Sequence, residues 1–312
     1  MPPVSPPRRL PGLVTLADMA SSERANEVVL PALQRAASRS SQAAQRRYLQ
    51  LTGAQLVLLA LGSLLSVLVW QRGDINVAAL LAAVAIVFAG VFRVQARLSQ
   101  PTRTWYHGRA AAESAKTLAW RYAVGGDPFP VELTEAEADH RFADRLTEIL
   151  IDLDNHSLEI GEEDEEITGW MRSTRALALG DRRATYSQGR IAQQRSWYRD
   201  KAAWNSRRAN LLGLITLLFE AVAVIQALAK ATGLINVNLI AFIATITAGI
   251  VAWMHTRDFH TLESAYTVAS RELAAISSLI KHQETEEDWA AFVNNAEDSI
   301  SREHTLWRAS RT

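Results

Sequence analysis

No charged side chain lies between Arg47 and Arg72, and Leu51–Trp70 within that gap is mostly Leu, Val, Ala and Gly. After the turn Gln71-Arg72-Gly73-Asp74 a second uncharged run fills Ile75–Phe92. A third, Leu211–Ala229, is interrupted only by Glu220 and Gln226, and a fourth, Ile235–Met254, follows Lys230-Ala231-Thr232-Gly233. Each run holds about 18–20 residues, the helix length that crosses a hydrocarbon core of about 30 Å. Buried helices of a soluble bundle keep a polar stripe at the 3.6-residue period. These runs are apolar on all sides, which selects membrane spans over a soluble core.

Whole-chain averages hide this. Thirty-three Lys+Arg balance 33 Asp+Glu in 312 residues, and the mean hydropathy is −0.03. Zero net charge argues against a nucleic-acid partner, whose affinity rests on phosphate neutralisation. The absence of cysteine excludes disulfides, thiolate metal sites and a cysteine nucleophile. Arginine placement orients the spans: Arg35, Arg39, Arg46 and Arg47 precede the first, and Arg93, Arg97, Arg103 and Arg109 follow the second. Arg195, Arg199, Lys201, Arg207 and Arg208 precede the third, while the hairpin turns carry only Arg72 and Lys230. The positive-inside tendency then puts both turns away from the cytoplasm, with both termini and the middle segment inside. The start, Met1-Pro-Pro-Val-Ser-Pro-Pro, lacks an apolar signal region, so residues 1–30 read as a disordered tail.

The two halves share one plan. Arg46-Arg47 and Arg207-Arg208 precede spans one and three, and Ile75-Asn76-Val77 and Ile235-Asn236-Val237 open spans two and four. The predicted organisation is all-α: a first two-span unit over 31–125 (spans 51–70 and 75–92), a cytoplasmic middle segment over 126–180, and a second unit over 181–312 (spans 211–229 and 235–254). Both hairpins run in the same direction, unlike the inverted repeats common in transporters. In the cytoplasm, Thr102–Tyr122 reads as a helix continuing from the second span and ended by Gly125-Gly126. Thr134-Glu135-Ala136-Glu137 is a capping box, and Thr168 caps a short helix that stops at Gly180. The acidic run Glu159–Glu166 lacks the ligand alternation of a calcium loop and reads as solvated. From Asp181 one long helix enters the membrane as the third span. Trp289, Phe292, Val293, Ala296 and Ile300 form the apolar face of a C-terminal helix that docks on its own subunit or on a neighbour.

Catalytic signatures are lacking. None of the seven histidines forms a zinc-hydrolase pair, no glycine-rich phosphate loop occurs, and no serine sits in a nucleophile elbow. The sequence therefore predicts a protein without enzymatic activity, cofactor or metal. Its chemically informative residue is Glu220, a carboxylate mid-span, which is expensive unless solvated or paired. Thr216 and Glu220 share a helical face with Gly213, and Gln226 and Thr245 add polar surface. These make a candidate pore lining; the alternative is a protonated Glu220 hydrogen-bonded to Thr245 or Thr247. Ala78, Ala82, Ala85 and Ala89 suit close helix packing. Trp197, Tyr198, Lys201 and Trp204 form a candidate coupling face on the cytoplasmic stretch of the third-span helix.

Several spacings together resemble a family. They are Trp105, Glu113, Lys116, Trp120, Tyr122 and Pro128-Phe129; Arg175, Arg182-Arg183, Tyr186, Arg190-Ile191, Gln194 and Trp197-Tyr198; and Trp289, Phe292-Val293, Glu297, Glu303 and Trp307. This order is similar to the SLATT domains, also called DUF4231, present here as two tandem copies. The resemblance implies a membrane effector of a bacterial antiphage or conflict system in the bacterial inner (cytoplasmic) membrane, one that oligomerises and forms a pore on a signal. It also implies a trigger, either a nucleotide second messenger or a separate sensor protein, since no sensing domain is recognisable in the chain. The expected partners are thus further copies of the chain and the lipid bilayer. A membrane scaffold without conductance is the alternative, and a small-solute transporter a weaker one.

Overall fold

The computed structural model describes residues 28–152 and 165–309. Four long helical rods dominate it. Helix α1 (Ala32–Val67) starts outside the membrane and becomes the first span. The small strands β1 (Gln71–Arg72) and β2 (Ile75–Asn76) then pair antiparallel, Gln71 opposite Asn76. Helix α2 (Val77–Leu98) returns as the second span. The first span therefore ends three residues before the predicted Trp70, because the chain needs an extended stretch to close the β-turn. Asn76 supplies the start signal of α2, its Oδ1 accepting from Ala79 N at 3.3 Å, as N-cap asparagines do.

The second span does not run on smoothly. Gln100 adopts a left-handed conformation (φ 39°), and α3 (Pro101–Val124) restarts behind it. Proline at the first helical position cannot continue a helix but starts one well. The fourth span breaks in the same way at Asp258 (φ 52°), between α8 (Ile240–Arg257) and α9 (Phe259–Leu279). The duplication is thus visible in the backbone as paired hinges at the membrane edge.

In between, α4 (Glu135–Asp152) opens on the expected capping box: Thr134 N donates to Glu137 Oε2 at 3.0 Å and Glu137 N to Thr134 Oγ1 at 3.3 Å. Thr168 caps α5 (Gly169–Arg175), which ends before Gly180; that glycine lies inside α6 (Leu179–Tyr186). A π-helical segment, Ser187–Ala192, joins α6 to α7 (Gln193–Ala231), the third span. The fourth span begins at Ile240, five residues later than predicted, because Asn236 is not its cap; Asn238 Oδ1 accepts from Ile240 N at 3.3 Å instead. Helix α10 (Glu286–Ala309) closes the chain.

Two kinds of packing hold the rods. In the first hairpin the buried residues of α2 are Ala78, Ala82, Ala85 and Ala89. Gly62 of α1 faces them so closely that a Cβ there would stand 3.2 Å from Ile86 and 3.4 Å from the Ala82 carbonyl. The predicted small-residue stripe is the hairpin seam. Outside the membrane an aromatic core forms around α3, with Trp120, Tyr122, Phe129, Phe142, Tyr186 and Trp289 all nearly inaccessible. The middle segment packs on α3 through Ala138, Phe142 and Leu146. Most of the acidic run lies outside the described residues, but Glu166 accepts from Leu33 N at 3.1 Å, a remote carboxylate on the positive end of α1.

Candidate functional site: the third span and its extramembrane latch

Burying large apolar side chains around α3 leaves polar groups inside that must be satisfied. The principal one is Glu297 of α10, fully buried. Its carboxylate accepts from Arg190 Nε (2.8 Å) and Nη2 (2.6 Å), Tyr186 OH (2.9 Å) and Thr117 Oγ1 (2.9 Å). Arg190 is just as buried. Burial alone would lower the Arg190 pKa, but the Glu297 charge and hydrogen bonds outweigh it and raise the value. Tyr186 is held well above its ordinary value, by burial first and by Glu297 second. A low-dielectric setting strengthens such a pair, provided both charges stay matched.

This knot joins three parts of the chain. Thr117 belongs to α3 of the first half, Arg190 to the π-helical segment that runs into the third span, and Glu297 to α10. A second buried arginine adds to it: Arg182 donates to the Val124 carbonyl (2.9 Å) and pairs with Glu286. Trp289 Nε1 reaches the same Val124 carbonyl at 2.7 Å, and Arg175 caps the Phe129 and Pro130 carbonyls at 2.7 Å each. Helix α10 therefore docks on its own subunit. The π turn supplies the geometry, since its extra residue per turn brings Arg190 and Ile191 inward together. Periodicity at 3.6 cannot anticipate that phase; the signal available in the sequence was the recurrence of Arg190 and Glu297 among the family-like spacings.

Beside the latch, α1, α3 and the start of α7 enclose a polar cavity of about 580 Å³, lined among others by Trp105, Arg109, Glu113, Lys116, Trp197 and Lys201. Lys116 Nζ donates to Gln194 at 3.2 Å across the two halves. Burial holds its pKa below the usual lysine value, with repulsion from Arg190 next in weight.

The predicted coupling residues divide in two. Tyr198 is buried against Tyr266 of α9, ring centroids 5.6 Å apart. Trp197 and Trp204 are both 39% exposed. Lys201 lies 5.8 and 5.9 Å from their ring centres. The predicted lining residues also separate. Gln226 is buried inside the second hairpin, where Nε2 donates to the Val237 carbonyl at 2.8 Å and braces the turn. Thr245 contacts Ser63 of the first span at 3.1 Å, tying the two hairpins together. Thr216 bonds its own helix at Leu212 O (2.9 Å) and lines a cleft between α7 and α8. Glu220 is exposed on the outer surface of α7 and, among the described residues, has no hydrogen-bond or ionic partner within the protomer. Neither Thr245 nor Thr247 reaches it.

The described residues hold no cluster of His, Cys, Asp and Glu able to bind a metal. Four long apolar helices in two tandem hairpins, tied to a helical block outside the bilayer, define a multi-pass membrane protein of the two-span effector type. Family comparison agrees along nearly the whole chain. Residues 31–183 match SMODS and SLOG-associating 2TM effector domain 3, and residues 186–307 match effector domain 1 of the same series. The chain belongs to the SLATT family as a tandem of two such domains, which places it among conflict-system membrane effectors. No curated protein and no solved structure matches it significantly.

Proposed function

We propose that the chain is a non-catalytic effector that assembles into a homo-oligomeric, gated pore in the inner membrane, with the third span lining the path. The observation that carries this reading is Glu220. A lone ionised carboxylate facing lipid at mid-span costs about 2.5–3.5 kcal/mol even on insertion scales. Among the described residues of one protomer nothing relieves that cost, so relief comes from water in a lumen or from a second copy of the chain.

The extramembrane block faces the cytoplasm in this reading, by the arginine asymmetry of the loops. From the Arg190 latch to Glu220 the helix is continuous, a rod of roughly 45 Å. Converting the π turn to α geometry removes one residue of helical phase. Everything beyond it then turns by about 100° and shifts by about 1.5 Å. The latch thus holds one of two discrete packings, and a trigger that favours the other opens the path. The trigger is a nucleotide second messenger or a sensor protein, and the polar cavity against Lys116 and Lys201 is the seat for an anionic one.

Induced expression with dye-entry or membrane-potential readout tests the reading. We expect permeabilisation that Glu220→Ala changes at equal membrane abundance. Unchanged permeability with and without the trigger of the native system overturns it. Tolerance of Glu220→Ala with retained protection favours the alternative scaffold, which the half-exposed Trp197 and Trp204 face supports.

A further inference from the structure

Where the third span leaves the bilayer, three cations share one indole. Arg208 and Arg257 lie 5.5 and 5.6 Å from the Trp204 ring centre, and Lys201 lies 5.9 Å from it. Arg257 also covers Phe259, whose ring is tilted against Trp204 with centroids 5.8 Å apart. Among the described residues neither Arg208 nor Arg257 is paired with a carboxylate. Like charges gathered without a counter-ion repel one another. Beside them, between α7 and the α8–α9 hinge, lies a cleft of about 410 Å³, lined by Gly213, Thr216, Val251, Met254 and Phe259 together with His255 and His260. Its one carboxylate, Asp258, is engaged in interactions of its own. A Cβ at Gly213 would meet nothing within 4 Å.

We propose that this is a binding site for an anionic membrane lipid, with the phosphate held by Arg208 and Arg257 and one acyl chain in the α7–α8 cleft. Three observations point to a lipid. The cations sit at the end of two spans, at headgroup depth, where basic pockets between helices collect anionic headgroups. Trp204 is an amphipathic aromatic of the kind found at that depth, and Phe259 packs beside its ring. The cleft beside them runs from the hinge residues at Asp258 to Gly213, Thr216 and Val251 within the spans, so a headgroup and a tail fit one continuous seat. The site belongs to the second half alone. By the repeat offset, Trp204 corresponds to Ala43, so the first half has no indole at the equivalent position. The lipid would bridge α7 to the hinge at Asp258, and so bias how the third span is held.

Binding to the purified full chain in neutral detergent reads this out directly, independently of any conductance. The probes are dioleoyl phosphatidylglycerol, dioleoyl phosphatidylcholine and glycerol phosphate, followed by native mass spectrometry and thermal shift. We expect phosphatidylglycerol to bind and stabilise, and the other two to bind at least tenfold more weakly. Arg208→Gln should cost about fivefold and the pair with Arg257→Gln about twenty-five-fold. The charge-matched pair Arg93→Gln and Arg97→Gln, at the end of the second span, should change binding less than twofold. Gly213→Leu, which fills the cleft, should weaken phosphatidylglycerol at least fivefold. Equal losses in the two double variants would mean diffuse surface charge and overturn the proposal. Glycerol phosphate binding as well as the lipid would make this a free-anion site and overturn it too. If the Arg208/Arg257 double variant does not fold, the exposed Arg208→Gln alone decides: undiminished binding refutes the site.

Discussion

Removing the Glu297 carboxylate is the sharpest perturbation the latch offers. In Glu297→Ala the buried Arg190 guanidinium keeps, within hydrogen-bond range, only Thr117 Oγ1 at 3.4 Å. Its Nη1 has no partner among the described residues even in the native arrangement. Breaking one side of a buried ion pair costs about 3–5 kcal/mol, most of it the stranded charge. For a block of this size that is a fall of about 6–20 °C in melting temperature. Tryptophan emission is a suitable assay, because Trp289 stacks edge-on against Tyr186 at 5.6 Å. The control replaces the whole polar group: Arg190→Met, Glu297→Leu and Tyr186→Phe together should recover most of the loss, since a well-packed apolar substitute is often neutral. The same Glu297→Ala change should make permeabilisation independent of the trigger. A melting shift under about 2 °C, or a triple variant as unstable as the single one, would refute the claim that charge matching holds this knot.

Other consequences are open to measurement. Gly62→Leu should separate the first hairpin and cut the yield of folded protein in detergent several-fold, because the Ala82 carbonyl already stands 3.4 Å from the position of a Cβ. Gly126→Ala would place a methyl 2.4 Å from Val293 Cγ1; we expect it to displace α10, with a loss of about 1–3 kcal/mol from overpacking. The Glu137 carboxyl is held below its ordinary 4.5, chiefly by the Thr134 side chain and then by its backbone N–H. A depressed folded pKa gives stability that is present above the unfolded value and lost as pH falls through the folded one. The α4 cap should therefore fade below about pH 4.5, and Glu137→Gln should remove that part of the acid slope in helicity.

Much of the architecture was written in local patterns, and what was not depended on helical phase and long-range pairing. The spans followed from the absence of charge, the first-hairpin seam from alanines at four-residue spacing, and the α4 start from Thr134 and Glu137. Helix ends were read less well. Ile75-Asn76-Val77 and Ile235-Asn236-Val237 are alike in sequence, yet Asn76 caps a helix and Asn236 does not. The difference is set by Gln226, which seizes the Val237 carbonyl from eleven residues away, a contact no local window contains. The polar residues of the spans were recognised as unusual, but polarity alone could not say whether each faced a turn, a neighbouring span or the outside. Arg190 and Glu297 stood among the family-like spacings, but local pattern could not pair them, for a related reason. Arg190 and Glu297 are 107 positions apart, and the π turn shifts the face on which Arg190 would be placed by a regular wheel.

The duplicated halves have kept their plan and diverged in their packing, and that divergence assigns them different tasks. On the second span four alanines are buried against a glycine-bearing neighbour. On the fourth span Ile243 is the buried residue, and Thr245 reaches across to Ser63 of the first hairpin. Close backbone approach is what stabilises helix pairs in lipid, where no hydrophobic drive exists between them. The first hairpin is therefore a self-sufficient anchor. The third span has little such support: within the bilayer stretch of α7 Gln226 alone is buried, and it serves the turn. A span with weak lateral contacts, an unmatched carboxylate on its outer face and a rigid connection to a buried ion-pair latch has the least to lose by rotating. If the two halves were exchanged in role, closing the second hairpin seam should be harmless and loosening the first should open the path. The packing argues the reverse: a bifunctional thiol cross-linker joining cysteines placed at Thr216 and Val251, which line one cleft, should silence permeabilisation, whereas cross-linking the first span to the second should leave it intact.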